Sequence, residues 1–169
     1  MARRVADTAT VIARCARRTR ESEMVEDMAP LPGPELCSEA EVATLVHAFY
    51  RRVRADAELS ALFARHIDDW DAHLAHLVDF WSAMLRGTRR FRGAPMPKHM
   101  AMQELSAVLF QRWLALFRAT TAELDNAPMR TLANDIAERI ADTFWRRHQM
   151  SWRPFEPVRP LHDMPPERD

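Results

Sequence analysis

Residues 70–86 read WDAHLAHLVDFWSAMLR, and the spacing of their large apolar side chains decides the fold class. These side chains recur every three or four positions, which is the period of one face of an α-helix. They are Trp70, Leu74, Leu77, Trp81 and Met84, with Phe80 and Leu85 widening the same face. Because the stripe stops just before Gly87, and glycine commonly follows the last turn of a helix, we predict one helix over this stretch.

The segment that follows, residues 87–97, interrupts the helical pattern. It holds two of the chain's three glycines and two prolines, so we expect one helix to stop here and another to start. His99 comes directly after this loop. Spacing alone leaves its role open between a surface histidine near a helix start and a metal ligand.

Helical patterns continue on both sides of this region. Ser38 followed by Glu41 predicts a capping box that opens a helix, and a short apolar turn lies between that helix and residue 70. The remaining stripes are Val42, Leu45, Val46, Phe49 and Val53; Leu59, Leu62 and Phe63; Leu105, Leu109, Trp113 and Leu116, from Met102 onward; and Met129, Leu132, Ile136, Ile140 and Phe144, beyond Pro128. No stretch alternates apolar and polar residues as a strand does, so the sequence predicts an all-α fold.

Composition narrows the class of protein. The chain has 169 residues, of which 47% are hydrophobic and 28% charged, as expected for one soluble globular domain. Acidic and basic residues number 24 each, so net charge favours neither a nucleic acid nor a membrane as partner. We find no apolar run long enough to span a bilayer, no secretory signal, and two cysteines without metal-ligand spacing. We therefore expect a cytoplasmic protein.

The two ends of the chain differ from its middle. Residues 1–37 join an arginine-rich start to a proline-rich link, and residues 150–169 form a proline-rich tail that we expect to be extended. The arginine-rich start has two interpretations. It is a disordered extension, or a result of placing the start codon too early, ahead of Met24 or Met28. Alternatively, it forms a short basic amphipathic helix that binds an anionic partner. We expect residues 38–149 to suffice for folding and function.

Four residues whose side chains carry a hydroxyl or a ring nitrogen lie on or beside the apolar stripes. Tyr50 borders the Phe49 face, His73 shares a face with Leu77, and Trp113 belongs to the third long stripe. Each has a plain interpretation as a core residue or a solvated helix residue. Together with His99, these side chains could also project into one interior.

Five pieces of sequence, taken in order, resemble the truncated hemoglobins, and within them the third group found in bacteria. The resemblance covers residues 38 to about 149. The pieces are Ala48-Phe49-Tyr50-Arg51-Arg52-Val53-Arg54-Ala55-Asp56; Leu62-Phe63; Trp70-Asp71-Ala72-His73 leading to Asp79-Phe80-Trp81; Phe91-Arg92-Gly93-Ala94-Pro95 followed by His99; and Phe110-Gln111-Arg112-Trp113-Leu114-Ala115-Leu116-Phe117. The glycine pairs of the other two groups are absent here, as they are from the third group.

This resemblance implies a globin-like fold, the two-over-two helical sandwich, enclosing one heme b. It implies His99 as the proximal ligand of the iron and thus as the metal-binding residue. Tyr50 and Trp113 would be polar groups on the ligand side, with His73 at its entrance. The heme would be lined by Phe49, Phe63, Leu77, Phe80, Trp81 and Phe91. Phe91 departs from the family, which more often has tyrosine there, and we expect the cost to be one hydroxyl contact.

The resemblance also implies binding of a diatomic gas at the iron: oxygen, carbon monoxide or nitric oxide. Two other functions stay open at this point. One is a heme redox enzyme, such as a nitric oxide dioxygenase or a peroxidase, served by a reductase or other electron donor. The other is a helical interaction module without heme.

Overall fold

The computed structural model describes residues 30–165, and within them every regular element is a helix, with no strand. Six α-helices and one 3₁₀ turn follow one another. They are α1 (Glu39–Ala55), α2 (Ala57–Ala64), α3 (Trp70–Arg86), α4 (Pro95–Met100), α5 (Ala107–Thr121), α6 (Ala127–Trp152) and the 3₁₀ turn Leu161–Asp163. No helix in this described part is long and apolar enough to cross a membrane.

Local sequence signals fix the ends of the long helices. At the start of α1 the Ser38 hydroxyl accepts from the Glu41 amide at 3.2 Å, while the Glu41 carboxylate accepts from the Ser38 amide at 2.8 Å. This is the predicted capping box, and it satisfies two backbone donors that the helix itself leaves free. At the end of α3, Gly87 has φ 69°, a left-handed conformation in which a side chain would be strained.

The long helices pack as two pairs, α1 with α3 and α5 with α6, and α1 crosses α5 between them. Aromatic rings join the pairs in the centre. Phe49 of α1 and Trp81 of α3 both contact Phe117 of α5, at ring-centroid distances of 5.0 and 4.9 Å. All three side chains are buried. This arrangement confirms the predicted all-α, two-over-two sandwich.

Helix α5 starts later than its apolar stripe suggests. The stripe runs from Met102, but the helix begins at Ala107, because the Ser106 hydroxyl caps it by accepting from the Leu109 amide at 3.3 Å. Leu105 is nevertheless buried, from the loop before the helix. A residue can therefore follow helical spacing without being helical.

The C-terminal segment packs on the helices instead of simply extending. Helix α6 continues three residues beyond 149, and the chain then returns along it. The Leu161 amide donates to the Asp142 carboxylate at 2.7 Å, the Arg159 amide donates to the Gln149 side chain at 3.0 Å, and Leu161 is buried. The proposed boundary at residue 149 remains a prediction about function, but the structural unit includes these later residues.

Part of the proline-rich link before α1 is also anchored. The Gly33 amide donates to the Leu85 carbonyl at 3.0 Å, and the Arg86 guanidinium donates to the Cys37 carbonyl. Cys37 is buried and free. The arginine-rich start and Cys15 lie outside the described residues.

Candidate functional site

A cavity of about 370 Å³ lies between the two helix pairs, and all six helices contribute to its wall. Its lining is mostly apolar and aromatic. A volume of this size, with a few polar groups set in an apolar wall, is typical of a binding site for a small organic molecule or cofactor. The polar groups therefore decide what the cavity can hold.

His99 enters the cavity wall from α4. Its Nδ1 lies 2.8 Å from the Pro95 carbonyl oxygen, and since a carbonyl only accepts, Nδ1 carries the proton. The other ring nitrogen, Nε2, therefore keeps its lone pair. Burial lowers the pKa of His99, which favours the neutral imidazole. A neutral imidazole with one nitrogen fixed by a backbone carbonyl is a well-oriented metal ligand.

Tyr50 and Trp113 form a hydrogen-bonded pair on the cavity wall. The Trp113 indole has only a donor to offer, so its N–H donates to the Tyr50 hydroxyl oxygen. Burial raises the pKa of Tyr50 far above its ordinary value, which keeps the phenol protonated. The Tyr50 proton is thus left to donate to a molecule inside the cavity. Both side chains are thus polar groups on the cavity wall, and Tyr50 is the one with a proton left to donate.

His73 lies beside this pair, with its ring centroid 5.8 Å from that of Tyr50. Its Nε2 is buried and has no hydrogen-bond partner among the residues described. Burial lowers the pKa of His73, and the nearby His76, Lys98 and His99 lower it further. The ring is therefore neutral near pH 7, with a polar nitrogen that a ligand in the cavity could satisfy.

Most of the predicted wall is present, with one correction. Five of the six apolar residues assigned to the heme line the cavity, namely Phe63, Leu77, Phe80, Trp81 and Phe91. Phe49 does not. It is fully buried one layer behind the wall, against Trp113 and Phe117. Adjacent helical residues point about 100° apart, so with Tyr50 facing the cavity Phe49 turns into the core.

The sequence-based assignment missed two groups of lining residues. One is apolar and comes largely from α5 and α6: Leu109, Phe110, Ile140, Ala141 and Phe144. Phe144 contacts the His99 ring at 4.6 Å between centroids. Its place in the last helical stripe was a usable signal, but the stripe does not tell a core contact from a cavity contact.

The second missed group is exposed at the rim of the cavity and carries positive charge or can acquire it. It consists of His66, His76, Arg92 and Lys98. Gly93 lies in the same rim, where a Cβ atom would come within 3.0 Å of both His76 Nε2 and the Phe91 ring. Glycine there lets the loop approach α3 closely.

The donor set suits a metal held by a cofactor better than a bare ion. In residues 30–165 no group of three or more His, Cys, Asp and Glu side chains is placed to bind a metal. One neutral imidazole facing a large apolar cavity instead fits iron whose remaining ligands come from a macrocycle. The unpartnered His73 nitrogen and the Tyr50 hydroxyl fit the same reading, because both need a polar partner inside an otherwise apolar space.

Comparison with known proteins gives the class directly. The family described as "Bacterial-like globin" matches residues 35–145, about two thirds of the chain, and the chain belongs to this family. It is therefore a globin, and the family's function is binding of ligands at a heme.

Individual relatives point to one branch of the globins. The chain is 30% identical over 114 residues to the group 3 truncated hemoglobin ctb of Campylobacter jejuni, an alignment that covers 65% of this chain and 90% of that protein. The crystal structure of the group III truncated hemoglobin from Campylobacter jejuni superposes with a TM-score of 0.60 at 29% identity, covering 64% of this chain and 88% of that one. The predicted resemblance to the third group of truncated hemoglobins is confirmed.

Proposed function

We propose that the cavity holds heme b, with His99 as the proximal ligand of the iron, and that it binds oxygen or another diatomic gas on the opposite side. The observation that carries this proposal is the His99 ring, whose Nδ1–H donates to the Pro95 carbonyl at 2.8 Å while Nε2 stays unprotonated. When bound, the cofactor supplies an iron centre that takes up a diatomic gas.

The remaining residues of the cavity act by exclusion and by charge. Rings such as Phe80 and Phe91, packed edge-to-face at 5.2 Å, exclude water from the macrocycle. At the rim, the exposed cations Arg92 and Lys98 would meet the carboxylates that heme b carries on its edge. The site thus offers apolar contact for the ring system and positive charge for its acidic groups.

On the gas-binding side, the chain supplies one ordered donor. The Trp113 N–H occupies the Tyr50 oxygen, so the Tyr50 O–H is directed away from Trp113 and is available to a gas molecule. His73, with its Nε2 buried beside Tyr50, would guard the approach to that donor. These roles follow the resemblance, and they require no charged residue on this side.

Redox chemistry at the same site is the second candidate function. The gas-binding side holds two groups with an exchangeable proton, the Tyr50 hydroxyl and the His73 ring, which is what proton delivery to peroxide would need. A reductase or other electron donor would then be the partner, in the cytoplasm of a bacterium. Carrier and enzyme differ in turnover and share the same binding site.

Titration of the purified full-length chain with hemin tests the proposal. We expect one equivalent to bind and to give an intense Soret band that shifts on reduction and addition of carbon monoxide. Absence of a stoichiometric endpoint, or no response to carbon monoxide, would contradict heme binding. Sustained consumption of nitric oxide or peroxide in the presence of a reductant would then favour the enzyme over the carrier.

A further inference from the structure

We propose that the end of α6, through Trp152 and His148, positions the segment that carries His99. These two side chains donate hydrogen bonds to backbone carbonyls on the C-terminal side of His99, and we call them the α6 clamp. The proposal rests on the proposed role of His99, and it assigns Trp152 and His148 as positioning residues for that ligand.

Helix α4 needs outside support. It has six residues, two of them proline, no side-chain cap at its N-terminus and no buried residue. Fewer than two turns of helix do not offset the entropy of forming them, and because no residue of α4 is more than partly buried, packing adds little hydrophobic free energy. The helix, and therefore the direction of the His99 ring, depends on bonds from neighbouring elements.

The last carbonyls of α4 are where such bonds are required, because the final turn of any helix leaves its carbonyls without intrahelical donors. The His99 carbonyl accepts from the Met102 amide at 3.2 Å within the turn itself. The Met100 carbonyl accepts from the Trp152 indole N–H at 3.1 Å. The Met102 carbonyl lies 3.2 Å from His148 Nε2, which must therefore donate.

The two clamp residues differ in burial, His148 being buried and Trp152 exposed at the end of α6. The His148 ring stacks on that of Trp145, at 6.1 Å and an interplanar angle of 18°. Trp152 lies one helical turn further and contacts the His148 ring at 6.4 Å. One face of α6 therefore reaches the last carbonyl of α4, at Met100, and the Met102 carbonyl of the following loop, and Phe144 of the same helix contacts His99 directly.

Both clamp residues lie beyond the stretch that matches the globin family, which ends at residue 145. The family match therefore does not assign them a role. Past that point the last two turns of α6 contact the segment around Met100 and Met102, and Gln149 among them holds the C-terminal segment at Arg159.

Hydrogen exchange on the purified full-length chain tests the clamp. The reporters are the amides of Ala101 and Met102, which close the last turn of α4 onto the Pro97 and His99 carbonyls. Trp152→Phe and His148→Phe each remove one donor and keep a ring. We expect exchange at the two reporters to rise about two- to tenfold for each lost bond, with amides in the middle of α3 unchanged.

Two further variants separate a hydrogen bond from mere packing. His148→Gln offers a donor at nearly the same reach and should restore slow exchange, while Met150→Leu, on an exposed side of α6, should change nothing. Unchanged reporters in both Phe variants, equal exchange in the Gln and Phe variants, or a uniform rise throughout α3 and α5 would each overturn the proposal.

The state of the ligand gives a second readout. In the reduced heme-loaded protein, the iron–histidine stretching band should shift or broaden in Trp152→Phe and His148→Phe and stay in place in Met150→Leu. An unmoved band in the Phe variants would overturn the positioning role. If the unsubstituted protein shows no such band at all, the proposed function fails, and the exchange measurement still decides whether the clamp exists.

Discussion

The two sides of the cavity are built in different ways. On one side Tyr50 belongs to α1, a capped helix of 17 residues, and is buried within a cluster of aromatic rings. On the other side His99 belongs to α4, a helix of six residues of which none, His99 included, is more than partly buried. The Tyr50 side is held by the hydrophobic core, whereas the His99 side is held by a small number of directed contacts from α6.

This difference separates two kinds of consequence. A change on the Tyr50 side should leave the fold and the cofactor in place and alter only how a gas is held. A change on the His99 side should alter whether and how the cofactor is held.

The largest effect is expected at His99. His99→Ala removes the only nitrogen that we assign to the iron, so ordinary heme retention should be lost. His73→Ala and His76→Ala change the two histidines of α3 that line the cavity, and both variants should keep the heme. The measurement is the ferrous and carbon monoxide spectrum of each purified variant. If His99→Ala kept these spectra while either α3 variant lost them, the two sides would have been assigned the wrong way round.

The next effect concerns the packing of the helices that both sides of the cavity share. Leu161 is buried against α5 and α6, although it lies far along the proline-rich tail. Leu161→Ala should lower the free energy of unfolding by about 2–5 kcal/mol while heme binding persists. Urea denaturation measures the difference.

A chain ending at residue 149 makes the same point more strongly. We expect residues 38–149 still to fold and to hold heme, but with lower stability than the full chain, because the contacts of Leu161 and of Trp152 are gone while His148 is kept. Equal urea midpoints for the truncated and full-length chains would show that the tail contributes nothing to the stability of the helices.

On the Tyr50 side, we expect a substitution to change how tightly a gas is bound and to leave the fold and the heme unchanged. A hydrogen bond to a partly charged acceptor contributes on the order of 1.5–3 kcal/mol, so Tyr50→Phe should raise the oxygen dissociation rate roughly ten- to a hundredfold. Carbon monoxide, which is less polarised, should respond far less. Stopped-flow dissociation rates for the two gases make the comparison.

Trp113 sharpens this prediction, because its N–H donates to Tyr50. Trp113→Phe should act through Tyr50, so the oxygen dissociation rate of the double variant should be only slightly higher than that of Tyr50→Phe. Additive effects would mean that both side chains donate to the gas independently. Small and equal changes for the two gases would mean that both are packing residues, and a selective effect at His73→Leu alone would move the donor role to His73.

The smallest effect is a dependence of stability on pH. Burial lowers the pKa of His148 below its ordinary value of 6.5. Between the two values the unfolded chain binds more protons than the folded one, so stability is full above pH 6.5 and falls as the pH drops toward the lowered value. One such group contributes at most about 1.4 kcal/mol per pH unit. His148→Gln should reduce the change in the urea midpoint between pH 7.5 and 5.5. The same pH dependence in the variant and the unsubstituted protein would contradict this.

The sequence predicted those parts of the molecule that depend on periodicity and on local caps. The apolar stripe of residues 70–86 and its stop at Gly87 gave α3 nearly to the residue, and Ser38 with Glu41 gave the start of α1. These features are local, because a cap or a stripe is written in neighbouring residues. The choice of Tyr50, His73, Trp113 and His99 came from the order of motifs, and the structure brings all four to one cavity.

What the sequence could not predict depends on contacts distant along the chain. Phe49 was assigned to the cavity wall, but which of two adjacent aromatic residues faces a cavity depends on how α1 is rotated against α5. The tail was expected to be extended, yet Leu161 finds its place through Asp142, 19 residues earlier. That Trp113 pairs with Tyr50 depends on how α1 and α5 meet, 63 residues apart along the chain, and no local pattern predicts it.

Rescue of a His99→Gly variant with free imidazole tests whether His99 is the residue that holds the iron. The variant should fail to give the histidine-ligated ferrous spectrum, and millimolar imidazole, which can fill the space of the missing ring, should restore it. The same treatment of His73→Gly should leave the proximal spectrum as it was without imidazole. A normal spectrum from His99→Gly without imidazole would contradict the account, because another residue would then hold the iron.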